Sequence, residues 1–234
     1  MKYAVRILLF ALVFSVSVSV SAFAEDKDDV FHRLDAAAAD LDRLTNAPDR
    51  GIPQDILTGA KCIAIVPNLV KAGFIFGAEG GRGVATCRVN GGHWSAPAFF
   101  TIAGGSWGAQ IGVSGTDLVM LFMNHEGARH LLAADWKIGA DAEIAAGPWG
   151  RETSANMAVN ASTSILTYSR SKGVFIGAAL NGANVHTDEK AMREFYGHDV
   201  NFREVLEGRV TAPPAAHQFL AGIRHNFHEA EAAK

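Results

Sequence analysis

The chain has 234 residues, with 21 Lys and Arg against 24 Asp and Glu, a formal net charge of −3. That balance argues against a general nucleic-acid binder, which carries a strongly basic surface. Two cysteines are too few for a disulfide-stapled miniprotein, and the length is enough for one large domain or two small ones with a real core.

Residues 1–24 read as a signal peptide. Lys2 and Arg6 give a basic start, 7–20 is an apolar run, and Ala22-Phe23-Ala24 is an A-x-A cleavage pattern. The competing reading is an uncleaved anchor, for which the apolar run is short. No cysteine follows the run, so a lipoprotein attachment site is not expected. Cleavage after Ala24 leaves 210 residues. Losing Lys2 and Arg6 leaves 19 basic side chains against 24 acidic ones, a net charge of −5. The mature chain is expected to be exported, periplasmic or secreted, and soluble or peripherally bound to a membrane.

Val30, Phe31, Leu34, Ala37, Ala38, Leu41 and Leu44 recur at helical spacing and predict an amphipathic helix over 28–46. Its polar face is mainly acidic: residues 25–60 hold nine acids and four bases. Such a face suits packing on a core better than insertion into an anionic membrane. Pro48, Gly51 and Pro53 then break the chain, and Pro53 starts a short helix over 54–60.

Cys62-Ile63-Ala64-Ile65-Val66 reads as a buried strand ended by Pro67. In the next stretch, 71–88, five glycines stand among large apolar residues. Each glycine weakens a helix by about 1 kcal/mol, whereas Phe74, Ile75, Phe76 and Val84 favour strands. Two short strands around a tight corner at 79–83 are expected. The pattern returns at 171–182: Gly73, Gly77 and Ala78 find counterparts in Gly173, Gly177 and Ala178, and Lys71 and Lys172 open the two copies. The two copies are expected to pack side by side in a β-rich core. Both lie in locally basic stretches. Residues 61–110 hold Lys61, Lys71, Arg82 and Arg88 against Glu79; residues 151–187 hold Arg151, Arg170 and Lys172 against Glu152. Paired copies would gather Lys71, Arg82, Arg170 and Lys172 into one positive patch. The alternative is a scatter of solvated charges, the simpler reading from charge alone.

Cys62 and Cys87 each fall in a predicted strand. In an exported protein a disulfide between them is the leading reading, with two buried thiols as the alternative. A zinc site would need further ligands at close spacing.

Residues 89–116 contain no Lys, Arg, Asp or Glu but include Trp94, Phe99, Phe100 and Trp107. Gly104, Gly108 and Gly112 have the four-residue spacing of glycine-lined membrane helices. Gln110, Ser114 and the other glycines favour instead two or three core strands, turning at Gly91-Gly92 and Gly104-Gly105. Residues 104–108 also match G-x-S-x-G, which would make Ser106 a hydrolase nucleophile. That elbow requires a helix after the serine, but 108–122 carries no helix-start signal and reads as another strand. In a chain with 24 glycines a chance match explains it better.

Strands over 116–124, 137–146 and 161–169, a helix over 126–134 and a turn at 147–151 complete the middle of the chain. Short helices are expected over 188–195 and 201–206, then a last helix over 215–227 begun by Pro213-Pro214. It carries His217, His225 and His228. These could ligate a metal, but such histidines are ordinarily surface residues, and no metal or cofactor is expected. The class is α+β: a single domain over 25–234, with an antiparallel, barrel- or sandwich-like core over 61–187 and helices over 28–46 and 188–230.

Many of these pieces, in this order, resemble the SYLF-domain family. They are Cys62–Pro67 with Lys71-Ala72-Gly73-Phe74, Gly80-Gly81-Arg82-Gly83-Val84, Cys87-Arg88, Trp94-Ser95-Ala96-Pro97, 104–112, 116–124, Gly139-Ala140-Asp141-Ala142, 146–151 and 168–175. The resemblance covers about residues 50–225. It implies a β-rich core with helices around it, binding to phospholipids (phosphoinositides in eukaryotic members) and no catalysis. Fungal relatives also bind actin through additional sequence; for an exported chain actin is a doubtful partner. Some eukaryotic members bind lipid through a basic N-terminal helix, from which the Asp-rich 30–44 departs. The expected lipid site is therefore Lys71, Arg82, Arg170 and Lys172, and the expected partner an anionic phospholipid membrane.

Overall fold

The structure, a computed structural model, describes residues 27–47, 51–73, 76–107, 112–133, 135–141, 144–148, 163–171, 174–176 and 182–232. Helix α1 (Lys27–Thr45) and the short α2 (Gln54–Gly59) precede four long strands: β1 (Cys62–Gly73), β2 (Phe76–Cys87), β3 (Ala98–Trp107) and β4 (Gly112–Phe122). Helix α3 (His125–Leu132) leads to β5 (Trp136–Lys137), β6 (Ile144–Ala146), β7 (Ile165–Ser171), β8 (Val174–Ile176) and β9 (Asn184–Thr187). Helices α4 (Glu189–Tyr196), α5 (Phe202–Leu206) and α6 (His217–Ala232) close the chain, with a 3₁₀ turn at Pro214–Ala216 before α6.

The helices begin where polar caps satisfy their first N–H groups. The Asn124 side chain accepts from Gly127 N–H, Asp188 from Ala191, and Asn201 from Arg203 and Glu204. Helix α4 ends at Gly197, which takes the left-handed conformation (φ 77°) that terminates helices. The apolar stripe foreseen for α1 is its core face: Val30, Leu34, Ala37, Leu41 and Leu44 are all buried.

The nine strands form one curled, mixed sheet, a half-barrel, in the order β5-β9-β3-β2-β1-β4-β7-β6, with β8 also pairing β7. This bears out an α+β fold with a β-rich core; among the described residues the one parallel pair is β6 with β7. β2 and β1 occupy the centre of the sheet, with β4 next to β1. In β4, Leu118 through Phe122 are buried without a break, as a strand covered on both faces requires. Helix α1 packs on β1, β2 and β4 and against α4 and α6.

Several sequence expectations are corrected. Residues 79–83 form no corner: β2 runs straight through them, and its N–H and C=O groups face β1 and β3. Glycines are needed there for room. A Cβ on Gly81 would sit 2.6 Å from Val66 Cγ1, and one on Gly83 would sit 2.3 Å from the Phe100 ring. Gly104-Gly105 likewise lies within β3 rather than at a turn, whereas Gly91 and Gly92 do turn, both with positive φ. Pro67 does not end β1. The strand passes it through a bulge in which Asn68 takes φ 55°, and a bulge is where a strand tolerates proline. Residues 137–146 split into β5 and β6. The two Gly-rich copies are not side by side. Each belongs to its own hairpin, β1–β2 and β7–β8, and β4 pairs along both β1 and β7, so it lies between them. Of the second copy, 172–173 and 177–181, and with them Lys172, Gly173, Gly177 and Ala178, lie outside the described residues.

Cys62 and Cys87 stand directly opposite on β1 and β2, with Cα atoms 4.0 Å apart, and are joined by a disulfide.

Candidate functional site

Cross-strand partners share a sheet face, and alternate residues change face. The register therefore sorts the predicted binding residues. Lys71 stands opposite Glu79, its Nζ 2.9 Å from Oε2, and the Glu79 carboxylate is buried. Lys71 and Glu79 share their face with Leu69, Gly81 and Thr116. Arg82, opposite Thr101 on β3, and Arg170, opposite Asp117 on β4, lie on the other face. Both are half-buried. β1 and β4 intervene between them, three inter-strand steps or about 14 Å. Lys172 lies outside the described residues.

The face that carries Arg82 and Arg170 is the one α1 covers. Near the start of α1, buried Arg33 donates to Asp188 Oδ2 at 3.1 Å and to the Gly83 carbonyl at 3.5 Å, and its guanidinium stacks 5.4 Å from the Phe99 ring centroid. Burial lowers the Arg33 pKa, opposed by the Asp188 charge. Near the end of α1, Arg43 pairs with Asp40 and lies 3.9 Å from Asp117 Oδ2, while the Asn68 N–H in the β1 bulge donates to Asp117 Oδ1 at 3.3 Å. Burial, then the nearby Asp117 charge, pushes the Asp40 carboxyl up to about 6. Arg82 and Arg170 thus lie on the sheet face that α1 covers, and Arg43, near the end of α1, approaches the Asp117 that stands opposite Arg170. Sequence reasoning missed Arg43, since α1 reads as acidic, and it missed Asp117, which only the strand register sets opposite Arg170.

Ser106 lies on β3 with its backbone opposite Gly77, and β4 begins at Gly112. Residues 108–111 lie outside the described ones, and the described residues on either side are strand, not the helix a nucleophile elbow needs. Among the described residues no group of three His, Cys, Asp or Glu could hold a metal ion. Among them no helix is long and apolar enough to cross a membrane. Burial raises the Tyr168 and Tyr196 phenols, and Tyr196 donates to the Pro97 carbonyl at 2.7 Å, which fixes α4 to the start of β3.

A family model described as Ysc84, Las17-binding protein actin regulator, matches residues 103–225, more than half of the chain. An SH3 domain-containing YSC84-like protein 1 of Xenopus laevis is 35% identical over 187 residues, 79% of this chain and 55% of that protein. The human protein of the same name is 35% identical over 186 residues, 79% and 54% of the two chains. Protein YSC84 of Saccharomyces cerevisiae is 37% identical over 177 residues, 74% and 37%. The chain spans about half the length of these curated relatives, or less. The matched segment runs from within β3 through α4 and α5 into α6, so it takes in much of the sheet described above and the helices after it. The chain belongs to the Ysc84, or SYLF-domain, family.

Proposed function

We propose that this chain binds anionic phospholipid surfaces, phosphoinositide-like headgroups among them, and does so without catalysis. The observation that carries the reading is that Arg82 and Arg170, singled out from sequence, share one sheet face, with Arg43 beside it. Guanidinium groups suit phosphate because their planar donors pair with two oxygens at once. Each basic side chain near an anionic surface is worth about 1 kcal/mol. Lys172 follows Arg170 closely in sequence and joins the proposed site. Lys71, paired with Glu79 on the opposite face, is its weakest member. We place the mature protein outside the cytoplasm, periplasmic or secreted and peripherally bound, on the A-x-A signal; the Cys62–Cys87 disulfide suits an oxidising compartment.

Flotation with vesicles tests the reading. The parent protein is expected to float with phosphatidylserine- or phosphoinositide-containing vesicles and not with pure phosphatidylcholine. The variant with Lys71, Arg82, Arg170 and Lys172 changed to Gln is expected to stay behind, and because Lys71→Gln leaves the buried Glu79 carboxylate unpaired, circular dichroism must show the variant folded for that result to count. A quadruple variant that floats as well as the parent sinks this site.

A second reading is protein binding of the kind the family description prints, Las17 binding and actin regulation, the first of which also appears in the name of a yeast relative, LAS seventeen-binding protein 3. Cosedimentation of the purified chain with actin filaments decides it, and a chain left in the supernatant counts against it.

A further inference from the structure

Beyond the arginines, towards the free ends of β1 and β4, the described residues of the same sheet face carry no charge. The register sets Val113, Ala72, Ala78 and Gly105 in one row across β4, β1, β2 and β3, and the next row repeats this chemistry around Val70. All four residues of the first row are exposed. The large apolar residues exposed among the described ones are Phe31, Val70 and Val113; two of the three stand here, and Val113 is the most exposed, at 74%. The sequence behind the patch is uncharged as well: neither 72–78 nor 89–116 contains Lys, Arg, Asp or Glu. A monomer can leave an apolar patch of this size in water, and the largest such patch is often a functional one.

Three occupants compete. Helix α1 is not one, because its last basic residue, Arg43, reaches Asp117, which lies one row behind the patch. A second copy is disfavoured by area. Four strands about 4.8 Å apart and two residue pairs along each give about 250 Å², against about 800 Å² per partner in a stable interface. The third occupant is a lipid surface, and the charge pattern fits it. Arg82 and Arg170 form the row behind, and about 13 Å separates that row from Val113 at the strand rise. Guanidinium groups set back from an uncharged tip match the depth order of a membrane surface, headgroup phosphates outside and acyl chains within.

We propose that the exposed Val113–Ala72–Ala78–Gly105 end of the sheet enters the acyl region of the bilayer while Arg82 and Arg170 stay at headgroup level. This inference rests on the lipid-binding reading above and adds to it a depth and an orientation. A purely electrostatic site would leave Val113 in water.

The test places an environment-sensitive fluorophore on Val113→Cys. The native cysteines are joined in the disulfide, so the new thiol is the labelling site. A second label at Thr58→Cys, half-buried on α2, is the control. On phosphatidylserine vesicles the Val113 label is expected to shift to the blue and to be quenched by lipids spin-labelled on the acyl chain; the Thr58 label is expected to do neither. The pair Val70→Asp and Val113→Asp, unlabelled, is expected to lower vesicle partitioning about tenfold or more with the melting temperature kept, since both sites are exposed. If the protein floats but the Val113 label is quenched only by headgroup-labelled lipid, insertion is wrong and the lipid reading stands. If the parent protein does not float at all, both fail. If the Asp pair instead dissociates a dimer seen by light scattering, a second copy covers the face and the proposal is overturned.

Discussion

At residue scale the sharpest feature is Asp40. It is 1% exposed on α1, paired with Arg43 and close to Asp117, and its carboxyl titrates near 6 in the folded protein against an ordinary 3.8. The folded state therefore holds this proton more tightly than the unfolded chain does. Stability from this group is full below about pH 4 and is lost as pH rises from about 4 to about 6, on the order of 3 kcal/mol at about 1.4 kcal/mol per unit. Asp40→Asn mimics the protonated acid. Urea unfolding should show the variant gaining on the parent at pH 7, with a flatter profile between pH 4 and 6; a parent more stable at pH 6 than at pH 4, with the variant unchanged, would contradict it. None of this was legible in the sequence. Asp40 is one of several aspartates on a helix, and only the packing of α1 on the sheet separates the buried one from the rest.

At element scale, β2 illustrates why a glycine-rich stretch can be a strand. Gly80 has open space beside it, its nearest neighbour for an added Cβ being the Ile102 carbonyl at 3.7 Å, whereas Gly83 lies under the Phe100 ring. Gly83→Ala should cost about 1–3 kcal/mol by overpacking, and Gly80→Ala should be neutral or slightly stabilising through the unfolded chain. Equal effects in a denaturant series would refute this account of the strand. The disulfide is the second test at this scale. It closes a sequence separation of 25 residues between paired positions of β1 and β2. Reduction, or Cys62→Ala with Cys87→Ala, should lower stability by about 3 kcal/mol in the chain-entropy model. Thiol titration of the unfolded, unreduced exported protein should find no free cysteine. The sequence carried this pairing as far as two cysteines in two strands; that the strands are neighbours, with the cysteines opposite one another, depends on a register that bulges at 66–69. Helix ends were more legible, because capping by Asn124, Asp188 and Asn201 is local chemistry within a few residues.

At the scale of the whole molecule, an acidic chain is expected to meet an anionic surface through one local face. Its adsorption should therefore weaken as salt rises, since charges are screened over about 8 Å at physiological ionic strength. Arg82→Gln and Arg170→Gln should each flatten that salt dependence in a vesicle titration, and Lys71→Gln should flatten it least. A parent protein indifferent to salt would exclude guanidinium–phosphate contacts as the driving term. By itself the sequence determined the α+β class, the apolar face of α1, the short helices near 126–134, 188–195 and 201–206, the strand-forming glycine-rich runs and the family. Each is carried by periodicity, by local capping or by motif order along the chain, all of which survive without knowing what lies next in space. The tertiary structure alone decided that β4 lies between the two glycine-rich copies, that Lys71 faces away from Arg82 and Arg170, that Arg43 joins them, and that the uncharged strand ends form one exposed face. Those facts depend on strand order and on the parity of each residue in its strand. One bulged residue at Asn68 reverses that parity for everything after it in β1.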